Sequence, residues 1–197
     1  MKKLIAVLCS VCLVFALAAC GEEKSETPAP EVSGEEEIAV INVKDYGTIE
    51  VKLDRAAAPI TVENFVNLVN DGFYDGLTFH RIISGFMIQG GDPLGDGTGG
   101  SDEQIKGEFS QNGVDNPIEH VRGTISMARA MDPDSASSQF FIVHEDSKFL
   151  DGQYAGFGSV ISGMDVVDAI CEAVQVADDN GTVLPENQPV IESITMK

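Results

Sequence analysis

Residues 38–53 read IAVINVKDYGTIEVKL, with apolar side chains at alternate positions on both sides of Asp45-Tyr46-Gly47. A period of two sends successive side chains to opposite faces of an extended strand, so the pattern predicts a β-hairpin with its turn at these three residues. The period then changes. Val62, Phe65, Val66 and Val69 recur at the spacing of one helical face, which predicts a helix over 61–70 with Thr61 as N-cap and Gly72 as stop. A second helix is predicted over 164–174, where Met164, Val167, Cys171 and Val174 share a face; Ser162 opens it, with Asp165 three residues on. Apolar runs at 78–83, 86–90, 123–128, 139–143, 157–160 and 190–196 read as further strands. Many strands, two helices and no strand–helix alternation predict a mainly β domain, a closed antiparallel barrel capped by two α-helices.

Ahead of this domain the pattern is of another kind. Residues 4–17 are apolar apart from Ser10 and follow Lys2 and Lys3, the make-up of an export signal and too short for a good membrane span. Leu17-Ala18-Ala19-Cys20 resembles the lipobox of bacterial lipoproteins. That implies removal of residues 1–19 and lipidation of Cys20; the alternative is an ordinary cleaved secretory signal. Two acyl chains suffice for stable attachment. Residues 20–37 then form a lipidated cysteine and an acidic tether. The stretch GEEKSETPAPEVSGEEE has one apolar side chain larger than alanine or proline, cannot bury enough to order itself, and would reach on the order of 20 Å. The expected place is the outer face of the cytoplasmic membrane, with the anchor as the only membrane contact and one monomeric domain over 38–197.

Charge narrows the partners. The chain has 12 Lys+Arg against 32 Asp+Glu, and loss of Lys2 and Lys3 takes the formal net charge from −20 to −22. Phosphate backbones and anionic headgroups are repelled, so no nucleic acid is expected as a partner. Cys9 and Cys12 leave with the signal and Cys20 takes the lipid, so Cys171 has no disulfide partner and reads as a small buried hydrophobe. Gly95, Gly97 and Gly100 fit the dinucleotide pattern G-x-G-x-x-G, but SDEQIKGEF follows in place of an apolar helix, which indicates a surface loop needing glycine geometry. Asp132 and Asp134 lack the remainder of a calcium loop and indicate a turn at Pro133. His80, His120 and His144 have no metal-ligand spacing and read as hydrogen-bonded core or surface histidines, His80 as a core one. No metal and no cofactor is expected.

The chemistry sits in FHRIISGFMIQGGD, residues 79–92, where one arginine interrupts what is otherwise sheet core. An arginine and a glutamine among large apolar side chains describe an apolar pocket with a few polar groups aimed into it. This stretch, followed in order by GDGTGG, ISMARAMDPDSASSQFFI and FLDGQYAGFGSV, resembles the cyclophilin peptidyl-prolyl cis-trans isomerases over about residues 38–196. The resemblance implies an eight-stranded antiparallel barrel closed by two helices. It implies Arg81 as the catalytic arginine, and Phe86, Met87, Gln89, Gln139, Phe141 and Leu150 as the pocket. Gly97, Ala128 and Ala130 fall at backbone or small-residue positions along the groove. Three residues depart from better-known members: Arg129 stands where they have asparagine, Phe149 where many have tryptophan, and Tyr154 where many have histidine. That asparagine meets substrate mainly through its backbone. The tryptophan lies on the pocket rim and donates its indole N–H to the macrocyclic inhibitor cyclosporin.

The residue types suit that reaction. Rotation about a peptide bond faces a barrier of about 18–20 kcal/mol, and at Xaa-Pro both isomers are populated and exchange slowly enough to limit folding. No bond breaks, so no nucleophile is required. A donor aimed at the prolyl nitrogen of the twisted amide stabilises the transition state selectively. A guanidinium holds such donors in a rigid plane. The expectation is an isomerase acting on Pro-containing segments of exported proteins. Two alternatives are a cyclophilin-fold module that binds such segments with little turnover, and a transporter's solute-binding lipoprotein. Arg81 favours the enzyme over the first, and the single-domain length disfavours the second.

Overall fold

The computed structural model describes residues 36–197. Cys20, the expected signal and most of the expected tether lie outside the described residues. The elements are β1 (Ile38–Val43), β2 (Gly47–Leu53), α1 (Pro59–Asn70), β3 (Phe79–Ile83), β4 (Met87–Gly90), β5 (Thr124–Met127), β6 (Phe140–Val143), β7 (Ala155–Ser162), α2 (Met164–Ala173) and β8 (Ile191–Met196). Each predicted strand and both predicted helices are present. Asp45 takes a positive φ of 65° and Gly47 one of 128° in the hairpin turn that joins β1 to β2.

The helix starts differ from the sequence reading. Thr61 lies inside α1, which begins at Pro59 with Ala58 as an uncapped N-cap. The free N–H groups are met instead by Glu108, whose carboxylate accepts from Ile60 N at 3.1 Å, Thr61 N at 2.8 Å and Thr61 Oγ1 at 2.7 Å. The capping carboxylate is thus almost fifty residues away in sequence, beyond the reach of any local pattern. Gly72 does stop the helix. It takes φ 68°, its N–H bonds Val69 O at 3.0 Å, and Phe73 N bonds Leu68 O at 2.9 Å, a Schellman ending. Ser162 does not open α2: it closes β7, and Gly163 at φ 90° is the N-cap, where a Cβ would fall 2.3 Å from Thr48 O.

The eight strands form one antiparallel sheet in the order β3-β4-β6-β5-β7-β2-β1-β8. The expected closure is not complete. β3 and β8 are the edges, and only the bridge Thr78–Val190 joins the segments leading into them. Pro189, which has no N–H, precedes β8 and serves only as acceptor, from Phe79 N at 3.0 Å. Residues 181–183 cover the edge of β3 in place of a ladder, with Ile82 N on Gly181 O at 2.8 Å and Val183 N on His80 O at 2.9 Å.

Both faces of β3, β4 and β6 are occupied, and this decides where a site can be. Ile82, Ile88, Phe140 and Ile142 join the main core with Phe65 of α1, Phe157 of β7 and Tyr74. Phe65 lies 5.2 Å from Tyr74, 5.7 Å from Phe140 and 5.3 Å from Phe157, centre to centre. The alternate residues Ile83, Met87, Phe141 and Val143 point the other way and pack with Phe86, Ala128, Leu150 and Tyr154 in a second, smaller cluster. Cys171 is buried and free, as expected, and burial pushes its thiol up to about 11.

Candidate active site

The second cluster surrounds a cavity of about 150 Å³. Nine of the expected residues line it: Arg81, Phe86, Met87, Gln89, Ala128, Arg129, Phe141, Leu150 and Tyr154. Strand register explains the convergence. Arg81 pairs with Gln89 across β3 and β4, and Gln89 pairs with Phe141 across β4 and β6, so the three side chains form a row across adjacent strands. Tyr154 meets Phe141 edge-on at 5.8 Å. Gly97, Ala130 and Gln139 line a larger, more polar chamber of about 530 Å³ that shares Gln89, Ala128 and Arg129 with the first. Phe149 lines neither. It is 66% exposed and lies 5.4 Å from Phe86, ring centre to ring centre, on the rim.

Arg81 is held in place on two sides. Nε donates to Asn180 O at 2.8 Å and Nη2 to Asn180 Oδ1 at 3.2 Å, while Nη1 donates to Gln89 Oε1 at 3.3 Å. Burial pulls the guanidinium down from its ordinary value, and Tyr154 and Asp178 oppose that shift. It starts far enough above neutrality to stay charged. The hydrogen bonds continue: Gln89 Nε2 donates to Gln139 Oε1 at 2.9 Å, and Gln139 Nε2 donates to Gly97 O at 3.1 Å and Gly99 O at 2.8 Å. The glycine loop is folded round Asp92, whose carboxylate accepts from Leu94, Asp96 and Gly97 N–H groups, and Gly95 and Gly97 take φ 66° and 89°. That is the surface loop expected of this pattern. Residues 132–135 likewise form the expected turn, with Asp134 N on Asp132 Oδ1 at 2.9 Å.

Two residues of this arrangement escaped the sequence reading. Asn180 belongs to a polar turn, ADDNGT, whose composition gives no hint that its carbonyl anchors an arginine nearly a hundred residues earlier. Phe109, in a stretch that carries no site signature in the sequence, lies under the Arg129 guanidinium at 5.1 Å. The histidines divide. His120 is buried between Asp151 Oδ1 and Ser126 Oγ, each at 2.9 Å, and stacks on Phe141. His144 accepts from Gly85 N at 2.8 Å. His80, expected to be hydrogen-bonded, is buried under the glycine loop at Gly97 with no protein partner for either ring nitrogen.

The socket's lining residues include no serine, cysteine or carboxylate. They offer apolar walls, two arginines and one amide. Sequence and structure comparisons agree on what has this form. The family model for cyclophilin type peptidyl-prolyl cis-trans isomerase/CLD matches residues 38–196. Peptidyl-prolyl cis-trans isomerase B of Bacillus subtilis is 50% identical over 123 residues, 62% of this chain and 82% of that protein. Peptidyl-prolyl cis-trans isomerase A of Dickeya dadantii is 46% identical over 138 residues, 68% of this chain and 70% of that one. Among solved structures, a Cryptosporidium parvum cyclophilin crystallised in the presence of the dipeptide Ala-Pro matches with a TM-score of 0.71 at 30% identity, covering 81% of this chain and 98% of the other. With the family model spanning the whole described sheet and both helices, the chain belongs to the cyclophilin-type peptidyl-prolyl cis-trans isomerases.

Proposed function

We propose that this protein accelerates Xaa-Pro isomerisation in exported polypeptides, with Arg81 as catalytic donor and the 150 Å³ socket as the seat of the proline ring. The observation that carries the reading is the fixed guanidinium of Arg81 at the wall of an apolar cavity, held by Asn180 and Gln89. Met87, Phe141 and Leu150 exclude water from the ring. As the amide twists, the prolyl nitrogen recovers a lone pair that it lacks in the planar ground state, and an arginine N–H aimed there gains most in the transition state. Gln89 is placed to hold both Arg81 and a substrate carbonyl. The Ala-Pro dipeptide named with the Cryptosporidium structure supports a proline ligand for this fold.

The test is isomer exchange of a Pro-containing peptide with the wild-type protein and with Arg81→Ala. The variant should lose about two to three powers of ten in kcat/KM, while peptide affinity falls far less. Equal losses in both, or no exchange by the wild type, would leave a module that binds Pro segments without turnover. The export signal and the lipobox at Cys20 support action on the outer face of the cytoplasmic membrane. A Cys20→Ala chain should no longer sediment with membranes; retention after a high-salt wash would defeat that part of the proposal.

A further inference from the structure

Arg129 follows β5 and stands in the wall common to the socket and the larger chamber. Its guanidinium is half-buried and bonded to backbone carbonyls. Nε and Nη2 both donate to Gln153 O, at 3.0 and 2.9 Å, and Nη1 donates to Ala130 O at 2.9 Å. The central carbon of the guanidinium lies 5.1 Å from the centre of the Phe109 ring and 4.8 Å from that of Tyr154. A planar cation over two aromatic rings gains from both, and its fork spans carbonyls that a lysine's point charge cannot hold together. Tyr154 in turn meets Phe141, the floor of the socket, edge-on at 5.8 Å. One side chain therefore joins the end of β5 to the segment that carries Leu150 and Tyr154.

We propose that Arg129 is a positioning residue for the proline socket, clamping Tyr154 against Phe141 and so setting the affinity for Pro segments without itself contacting an anion. The inference rests on the isomerase reading of the socket. Because three of the guanidinium's five N–H donors go to the Gln153 and Ala130 carbonyls, its charge is held toward the protein rather than offered to an acidic residue ahead of proline. Arg81, Asn180 and Gln89 lie outside the clamp, so its loss acts on binding more than on the rotation step.

The experiment compares wild type, Arg129→Ala, Arg129→Lys, Tyr154→Ala and the Arg129→Ala/Tyr154→Ala double variant. It measures isomer exchange, peptide Kd by titration, and Tm as a check of folding. Arg129→Ala should raise KM and Kd about three- to tenfold with kcat changed less than about twofold. Arg129→Lys should resemble alanine, and the double variant should be no worse than the weaker-binding single one. An unchanged Kd, recovery by lysine, additive losses, or a loss confined to peptides with an acidic residue before proline would overturn the inference. Should Arg129→Ala fail to fold, the lysine comparison decides alone. Absence of exchange in the wild type would defeat the isomerase reading only, since the Kd pattern is read without turnover.

Discussion

Arg81 and Gln89 are register partners on adjacent strands, with Nη1 3.3 Å from Oε1, and that amide in turn holds Gln139. Gln89 is thus the one residue that both aims the guanidinium and ties it to the glycine loop. Gln89→Ala should cost about tenfold in kcat/KM. Asn180→Ala removes only the Oδ1 contact and leaves the stronger carbonyl one, so it should cost about two- to fivefold, the worth of one exposed hydrogen bond. Exchange kinetics on both variants check the order, and a larger effect at Asn180 would show that the loop rather than the strand pair orients Arg81.

Glu108 closes the N-terminus of α1 from a distant loop while 2% exposed. Its replacement by alanine strands three donors and should destabilise the fold by about 2–3 kcal/mol. Glu108→Gln keeps one acceptor oxygen and should lose about half as much. Denaturant unfolding of the three proteins measures this, and equal stability of wild type and Glu108→Ala would contradict the capping role.

Acid should destabilise the fold in two separable stages. Burial depresses His80 and His120 below their ordinary value of 6.5, against the opposing pull of Asp92 on the first and Asp151 on the second. Below about pH 6.5 the unfolded chain binds protons that the folded rings refuse, so stability falls as pH drops toward the folded values and is level above. The slope is at most about 1.4 kcal/mol per pH unit for each ring. Asp168, held low by Arg122, and Asp134, held low by the Gly107 N–H, contribute stability that persists above their ordinary 3.8 and is lost only below it. His80→Leu should therefore remove about half of the slope between pH 6.5 and 5. An unchanged slope would mean that His80 titrates alike in both states.

Phe149 separates turnover from inhibition. It keeps an aromatic ring beside Phe86 at the rim but has no N–H to donate at the place where the cyclophilin resemblance implies a tryptophan. The isomerase should work on small Pro peptides yet respond weakly to cyclosporin. Phe149→Trp should tighten inhibition by about tenfold or more, from one regained hydrogen bond and added contact area. Two inhibition constants in one assay decide the matter; strong inhibition of wild type would show that Phe149 does not take the tryptophan's place.

Elements whose cause is local were legible in the sequence. The alternation in residues 38–53 and the spacing of Val62, Phe65 and Val69 follow from side-chain periodicity, and Gly72 from a backbone that only glycine adopts easily. The socket residues were legible only through family resemblance, because nothing in FHRIISGFMIQGGD tells which face of β3 and β4 meets the main core. What stayed hidden is long-range: Glu108 on α1, Asn180 on Arg81, Phe109 beneath Arg129, and the open seam between β3 and β8. Each depends on where a loop returns in space. His80 belongs with them, since residue type alone does not reveal which polar groups a buried ring meets.

The first strand of the described chain lies between β2 and the last, β8, and the final N–H, of Lys197, bonds Ile38 O at 2.9 Å. A ribosome delivers β1 well over a hundred residues before β8. Until then the β1–β2 hairpin has one flank unpaired, an open edge of the kind that recruits other chains. Closing it requires a loop of nearly the whole domain, an entropic cost that no earlier local contact offsets. Folding of the sheet thus waits for delivery of β8, and a chain ending before Ile191 should aggregate rather than persist as a shortened isomerase.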